Sequence, residues 1–158
     1  IKAANLEWGI EKCIELGADE IHFFACKRTS EKMNKEVYER RKERWQKIID
    51  GAVEQSNRDH RVILGNLYDI EDIYKLDFDY KFVPYEKESL KGTILNDLIF
   101  EKEKSLSLIV GPEGGFEEDE INKLIENGYT SFSLGKRILR AETAVLAGLA
   151  ILGNMMEN

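Results

Sequence analysis

Cysteine, proline and histidine are each present only twice in this chain of 158 residues. Two cysteines, Cys13 and Cys26, are too few for a disulfide framework and lack metal-ligand spacing. A stapled secreted scaffold and a structural zinc site are therefore excluded, and no metal is expected. No run approaches the ~20 apolar residues that cross a bilayer, and no basic, apolar, small-residue opening resembles a secretory signal. The expected location is the cytoplasm, with no membrane partner. His22 and His60 lie far apart in the sequence, so structural roles are expected for both. The formal charge of -7 excludes nucleic-acid binding by bulk attraction.

What is present suits one folded unit. An apolar share of 42% and a charged share of 34% support a globular domain over 1–158 with a real core. The charge is unevenly spread: residues 27–47 hold nine Lys/Arg against four Glu. That segment reads either as a local phosphate contact or as a solvated helix face laced with ion pairs.

Along the chain, helix and strand signals alternate. Asn5 reads as the cap of a helix that stops at Gly17, and 20–26 as a short buried strand. Asn34 opens a long helix to about Ser56; 61–65 is a strand; Asp69 caps a short helix through Leu76; 80–84 is a strand. Helical turns are expected over 93–100, a strand over 105–111, a helix over 117–127, a strand over 129–135 and a last helix over 141–156. Strands separated by helices imply an α/β fold with a mainly parallel, doubly wound sheet. In such sheets ligands sit beyond the carboxyl ends of the strands, which selects 84–89, 111–116 and 135–140.

Two of those three tips carry unusual sequence. In GPEGGFEEDEI (111–121), glycines permit positive φ and close backbone approach, and Pro112 stiffens the turn. Four acids follow at once, favourable to a helix start and hostile to a phosphate. The loop lacks the lysine of a P-loop and the spacing of GxGxxG. Alone it is either a tight turn or a ligand cradle. In LGKRILRAETA (134–144), Lys136, Arg137 and Arg140 crowd the mouth of an almost wholly apolar helix, which must be buried on most sides. Pairing of Arg140 with Glu142 or Glu113 would make a structural brace or the wall of an active site.

These two segments together resemble the signature of the SPOUT class of methyltransferases. Within that class they resemble the RsmE type, which methylates N3 of a uridine in small-subunit ribosomal RNA. EKCIELGADEI and AVEQSNR (52–58) agree with that type, and the likeness covers nearly the whole chain. There are two departures: the usual Glu-Arg-Ser after the first strand is here Lys27-Arg28-Thr29-Ser30, and a helix-cap Ser/Thr is here Glu117.

The resemblance implies a C-terminal deep trefoil knot, a rare exception to unknotted topology, whose loops bind S-adenosylmethionine. Carried over to this sequence, the cofactor residues are Pro84, Tyr85 and Glu86; Gly111, Glu113 and Gly115; and Leu134, Gly135, Ile138 and Leu139. It further implies a homodimer, with the last helix as the candidate interface, and ribosomal RNA or the small ribosomal subunit as partner. The usual N-terminal PUA-like RNA-binding barrel is expected to be absent from 1–158. The chemistry calls for a cation to stabilise negative charge developing on the base, and Arg140 is the first choice, with Arg137 second. Glu113 is the candidate carboxylate, as proton acceptor or as brace. The alternatives are a SPOUT enzyme acting on another RNA such as tRNA, and a non-catalytic knotted RNA- or nucleotide-binding module.

Overall fold

The computed structural model describes residues 3–29, 33–85, 87 and 95–157. Its elements alternate as expected: α1 (Ala3–Glu15), β1 (Ile21–Ala25), α2 (Lys35–Gln55), β2 (Leu64–Asp69), α3 (Ile70–Tyr74), β3 (Tyr80–Pro84), β4 (Leu106–Leu108), α4 (Glu118–Glu126), β5 (Tyr129–Phe132) and α5 (Ala141–Glu157). Of the helical turns expected over 93–100, a 3₁₀ turn at Leu95–Asp97 is present; 93 and 94 lie outside the described residues.

Local chemistry explains most boundaries. Asn34 caps α2 by accepting from the Val37 N–H at 2.9 Å, satisfying a donor the helix cannot. Gly17 ends α1 at φ +97°, a conformation open to glycine. Arg58 then donates to the Ile14 and Ala18 carbonyls (3.1 and 2.7 Å), covering acceptors left by that helix end.

Three expectations need correction. Asn5 does not cap α1, which begins at Ala3; its side chain instead donates to Glu142 Oε1 on α5 at 3.1 Å. The second strand is not 61–65 but begins at Leu64. Gln46 of α2 donates to the Val62 carbonyl and accepts from the Leu64 N–H (2.9 and 2.8 Å), so a side chain takes the bonds a neighbouring strand would need. Finally, the strands form two hydrogen-bonded ladders, β1–β2 and β4–β3–β5, rather than one sheet.

Every paired strand is parallel. Consecutive residues of β3 serve opposite faces: Phe82 packs with Phe132 and Leu152 of α5, while Val83 packs with Ile109, Phe116 and Leu124 of α4. Both faces of this ladder are therefore covered, as the doubly wound reading requires. A third cluster, centred on Trp45, Ile49 and Ile14, joins α1 and α2 to the β1–β2 ladder. The two ladders meet where Phe24 stacks on Phe116, with ring centroids 5.9 Å apart. Among the described residues, no helix is long and apolar enough to cross a membrane.

Candidate functional site

The three tips picked out by sequence converge because β3 lies between β4 and β5. Phe82 is level with Leu108 on one side and Thr130 on the other, and Pro84 is level with Phe132. The Tyr85 N–H continues the ladder to the Phe132 carbonyl at 2.9 Å. All three chains thus leave the sheet at the same edge, as parallel strands must. Pro84 and Tyr85 are half-buried there, and Tyr85 packs against the cluster that holds Phe116. Glu86, the third residue assigned to this tip, lies outside the described residues.

The second tip folds tightly. The Gly115 N–H bonds back to the Pro112 carbonyl at 2.8 Å, and Gly115 has φ +73°. Gly111 is required for space: a Cβ there would stand 3.0 Å from two ring carbons of Phe116. That ring is 6% exposed and tucked beneath the loop. Glu113 sits exposed on the turn.

Sequence reasoning missed what holds this loop. Residues 26–29 form a turn, with the Thr29 N–H on the Cys26 carbonyl and the Cys26 N–H on Thr29 Oγ1 (3.0 and 2.9 Å). The turn points Lys27 and Arg28 at the glycine loop. Arg28 Nη1 donates to the Gly114 carbonyl at 3.0 Å. Lys27 Nζ meets Asp119 Oδ2 at 2.9 Å and Glu117 Oε2 at 3.4 Å. Beneath them Glu120, 2% exposed, accepts from the backbone N–H of both Lys27 and Glu117 (3.2 and 2.9 Å). Those two bonds compensate the cost of burying a carboxylate. Asp119 and then Glu117 raise the Lys27 pKa above the ordinary ammonium range, and Lys27 holds Asp119 below the usual carboxylate range. Burial, with the nearby Glu120 charge second, pushes Tyr74 up to about 12. The one legible signal for Glu120 was its place three residues after a helix cap, where a carboxylate commonly reaches back.

At the third tip, Gly135 adopts φ +113° and its N–H bonds to Ser133 Oγ at 3.0 Å. Leu134 packs on the Phe82–Phe132–Leu152 cluster. Leu139 is half-buried, whereas Ile138 is 85% exposed, as little covered as a side chain on open surface. The Arg140 carbonyl accepts from the Ala144 N–H at 2.9 Å, so Arg140 stands at the amino end of α5. Cations are disfavoured at that end of a helix dipole, yet Lys136, Arg137 and Arg140 are all exposed around it. Of the two pairings weighed for Arg140, the one with Glu142 does not form; the Glu142 carboxylate accepts from Asn5 instead. Among the described residues, Arg140 takes no ion-pair partner. Nor does any backbone acceptor among them engage the N–H groups of residues 136–139. Gly148 lets α5 run close beneath the sheet: a Cβ there would stand 3.0 Å from Leu108 Cδ2.

His22, His60 and Cys13 lie elsewhere. His22 stacks on Tyr68 in the β1–β2 ladder and His60 joins the Arg58–Asp19 group. Burial alone raises the Cys13 thiol to about 11. A concavity lined by Glu11, Glu15, Lys47, Ile48 and Gly51 lies between α1 and α2, not at the strand tips.

Comparison with known proteins gives the same answer as the motifs. A family model described as an RNA methyltransferase domain matches residues 1–153. A ribosomal RNA small subunit methyltransferase E of Bacillus subtilis (strain 168) is 35% identical over 99% of this chain and 63% of its own length. The protein of the same name from Mesomycoplasma hyopneumoniae is 31% identical over 92% of this chain and 63% of its own length. Among solved structures, a putative methyltransferase from Legionella pneumophila, in complex with bound S-adenosylmethionine, is 28% identical. It superposes with a TM-score of 0.87 over 97% of this chain and 62% of its own. A ribosomal RNA small subunit methyltransferase E from Neisseria gonorrhoeae, also bound to S-adenosylmethionine, is 28% identical with a TM-score of 0.84, over 98% and 62% of the two chains. The chain spans less than two thirds of the length of each of these relatives.

Proposed function

The chain belongs to the RNA methyltransferase domain family, and from that premise we propose that it transfers the methyl group of S-adenosylmethionine to N3 of a uridine in small-subunit (16S) ribosomal RNA. One observation carries the reading. GPEGG and LGKRILRA, distant in sequence, leave the sheet at one edge on either side of Pro84 and Tyr85. Relatives named ribosomal RNA small subunit methyltransferase E and solved structures holding that cofactor support its coarser part, S-adenosylmethionine-dependent methylation of small-subunit ribosomal RNA.

The residues present fit the cofactor. Gly111 and Gly115 keep side chains off the second tip, and Gly135 does so at the third. Backbone N–H groups of 136–139 are available to a purine edge, and Leu134, Leu139 and the exposed Ile138 to its faces. Pro84, Tyr85, Glu86 and Glu113 complete the assigned set. When bound, S-adenosylmethionine supplies a methyl group already activated on a sulfonium. The protein's work is then to place the base in line, exclude water and manage one proton. Uridine N3 must lose its proton to become nucleophilic, which leaves negative charge spread onto the two carbonyl oxygens flanking it. Arg140, exposed and without an ion-pair partner among the described residues, is the cation we assign to that charge, with Arg137 second. Glu113 is assigned as the proton acceptor. A uridine in structured RNA must be unpaired or splayed out to present N3.

The proposal includes the trefoil knot of the SPOUT class, a cytoplasmic location, and a homodimer in which α5 contributes to the interface. The test is methylation by the full-length protein of RNA from a strain lacking the enzyme, with the modified base mapped by mass spectrometry. A 3-methyluridine in 16S RNA is the expected result. Modification confined to tRNA would mean a SPOUT enzyme with another target. Absence of saturable S-adenosylmethionine affinity by calorimetry would leave a non-catalytic module.

A further inference from the structure

The turn after β1 and the start of α4 hold opposite charges against each other. Lys27 Nζ lies 3.4 Å from Glu117 Oε2 and 2.9 Å from Asp119 Oδ2. A glutamate at 27 would place three carboxylates within contact of one another, a like-charge cluster that repels. A lysine turns the same cluster into attraction. The neighbouring Arg28 reaches the loop itself, through the Gly114 carbonyl at 3.0 Å and Glu117 Oε1 at 3.8 Å. Gly114 in turn admits Arg28, since a Cβ on it would stand 3.0 Å from Arg28 Cβ. The contacts span 86 to 92 residues of sequence, so they join two otherwise separate tips: the end of β1 and the end of β4.

We infer that Lys27 and Arg28 are positioning residues for the cofactor loop, Lys27 through the carboxylates of Glu117 and Asp119 and Arg28 through the Gly114 carbonyl. The inference rests on the reading of GPEGG as a cofactor loop. Among the described residues, Lys27 and Arg28 act through the backbone of Gly114 and the acids Glu117 and Asp119. Removing the attraction loosens residues 112–118, and S-adenosylmethionine then pays the cost of ordering them.

The test compares wild-type full-length protein with Lys27→Glu, Glu117→Ser, the double variant and Arg28→Ala. Two measurements are made on each: amide hydrogen exchange over 112–118 without cofactor, and S-adenosylmethionine affinity by calorimetry. Lys27→Glu should speed exchange in that segment and weaken cofactor binding by about five- to tenfold, the scale of two partly exposed ion pairs. Arg28→Ala should act in the same direction. Adding Glu117→Ser to Lys27→Glu removes one of the two carboxylates facing residue 27 and should restore part of the lost affinity, which a general folding defect would not do. Unchanged exchange over 112–118 in Lys27→Glu and Arg28→Ala overturns the inference, as does a double variant no better than Lys27→Glu. Faster exchange in variants of a protein whose wild type binds no S-adenosylmethionine upholds the loop's anchoring and overturns the functional reading instead.

Discussion

Gly111→Ala tests whether the glycine loop is shaped by packing. Gly111 is not among the positive-φ residues, so alanine meets no backbone strain there and only the neighbouring ring decides the outcome. The new methyl would stand 3.0 Å from Phe116 Cδ2 and Cε2 and 3.4 Å from Cζ. The ring has little room to retreat: it is 6% exposed, stacked on Phe24, and surrounded by Val83, Ile109, Ile121 and Leu124. Overpacking of this kind costs about 1–3 kcal/mol, which in a domain of this size lowers Tm by roughly 2–4 °C per kcal/mol. The turn at 112–115 is displaced with the ring, so cofactor affinity falls as well. Phe116→Leu alone opens a cavity and costs less than the ~3–5 kcal/mol of truncation to alanine. Combined with Gly111→Ala it vacates the space the methyl needs, and the double variant should recover about 1–2 kcal/mol relative to the sum of the single variants. Urea denaturation of the four proteins measures this coupling. Strict additivity, or a Gly111→Ala variant as stable as wild type, would refute the packing account.

Four further outcomes are expected. Gly51 lies inside α2, exposed, with nothing within 4 Å of a Cβ placed on it; Gly51→Ala should stabilise by about 0.5–1 kcal/mol through helix propensity, read in the same denaturation assay. Glu120→Ala strands the Lys27 and Glu117 N–H groups and should cost about 2–4 kcal/mol, with a matching drop in Tm. Arg140→Ala should leave Tm unchanged, because the side chain is exposed and has no ion-pair partner among the described residues. It should also lower kcat on the RNA substrate by about 10²–10³-fold, the loss typical of a group stabilising transition-state charge. The His60 pKa is raised by Asp59 and then Asp19, so its contribution is complete below the unfolded-state value of about 6.5 and lost as pH rises through the higher folded value. The resulting decline in Tm on going from mildly acid to mildly alkaline pH should shrink in Asp59→Asn.

How far local pattern reaches is clear from particular residues. Asn34 and Asp69 were readable as caps because the cap and the N–H that donates to it are three residues apart. Asn5 looked the same and was not a cap, because its partner, Glu142, is 137 residues away. Val62 reads as strand by composition and is buried, yet Gln46 claims its carbonyl; a competing side chain from another element leaves no trace in periodicity. Arg58, inside the AVEQSNR stretch, carried no visible purpose until the fold set it over the carbonyls of Ile14 and Ala18.

By itself, then, the sequence determined the alternation of helices and parallel strands, the three loops at the strand ends, and through two motifs the family. Those signals are local: hydrophobic period, glycine at turns, and short strings whose order survives in one dimension. The tertiary structure alone decided how the glycine loop is held. With 30 acidic residues and 23 Lys/Arg in the chain, no spacing rule selects Lys27, Arg28, Glu117, Asp119 and Glu120 as one group. They meet because the turn after β1 lies against the loop and helix start that follow β4, and the energy of a charge depends on what lies within a few ångströms of it.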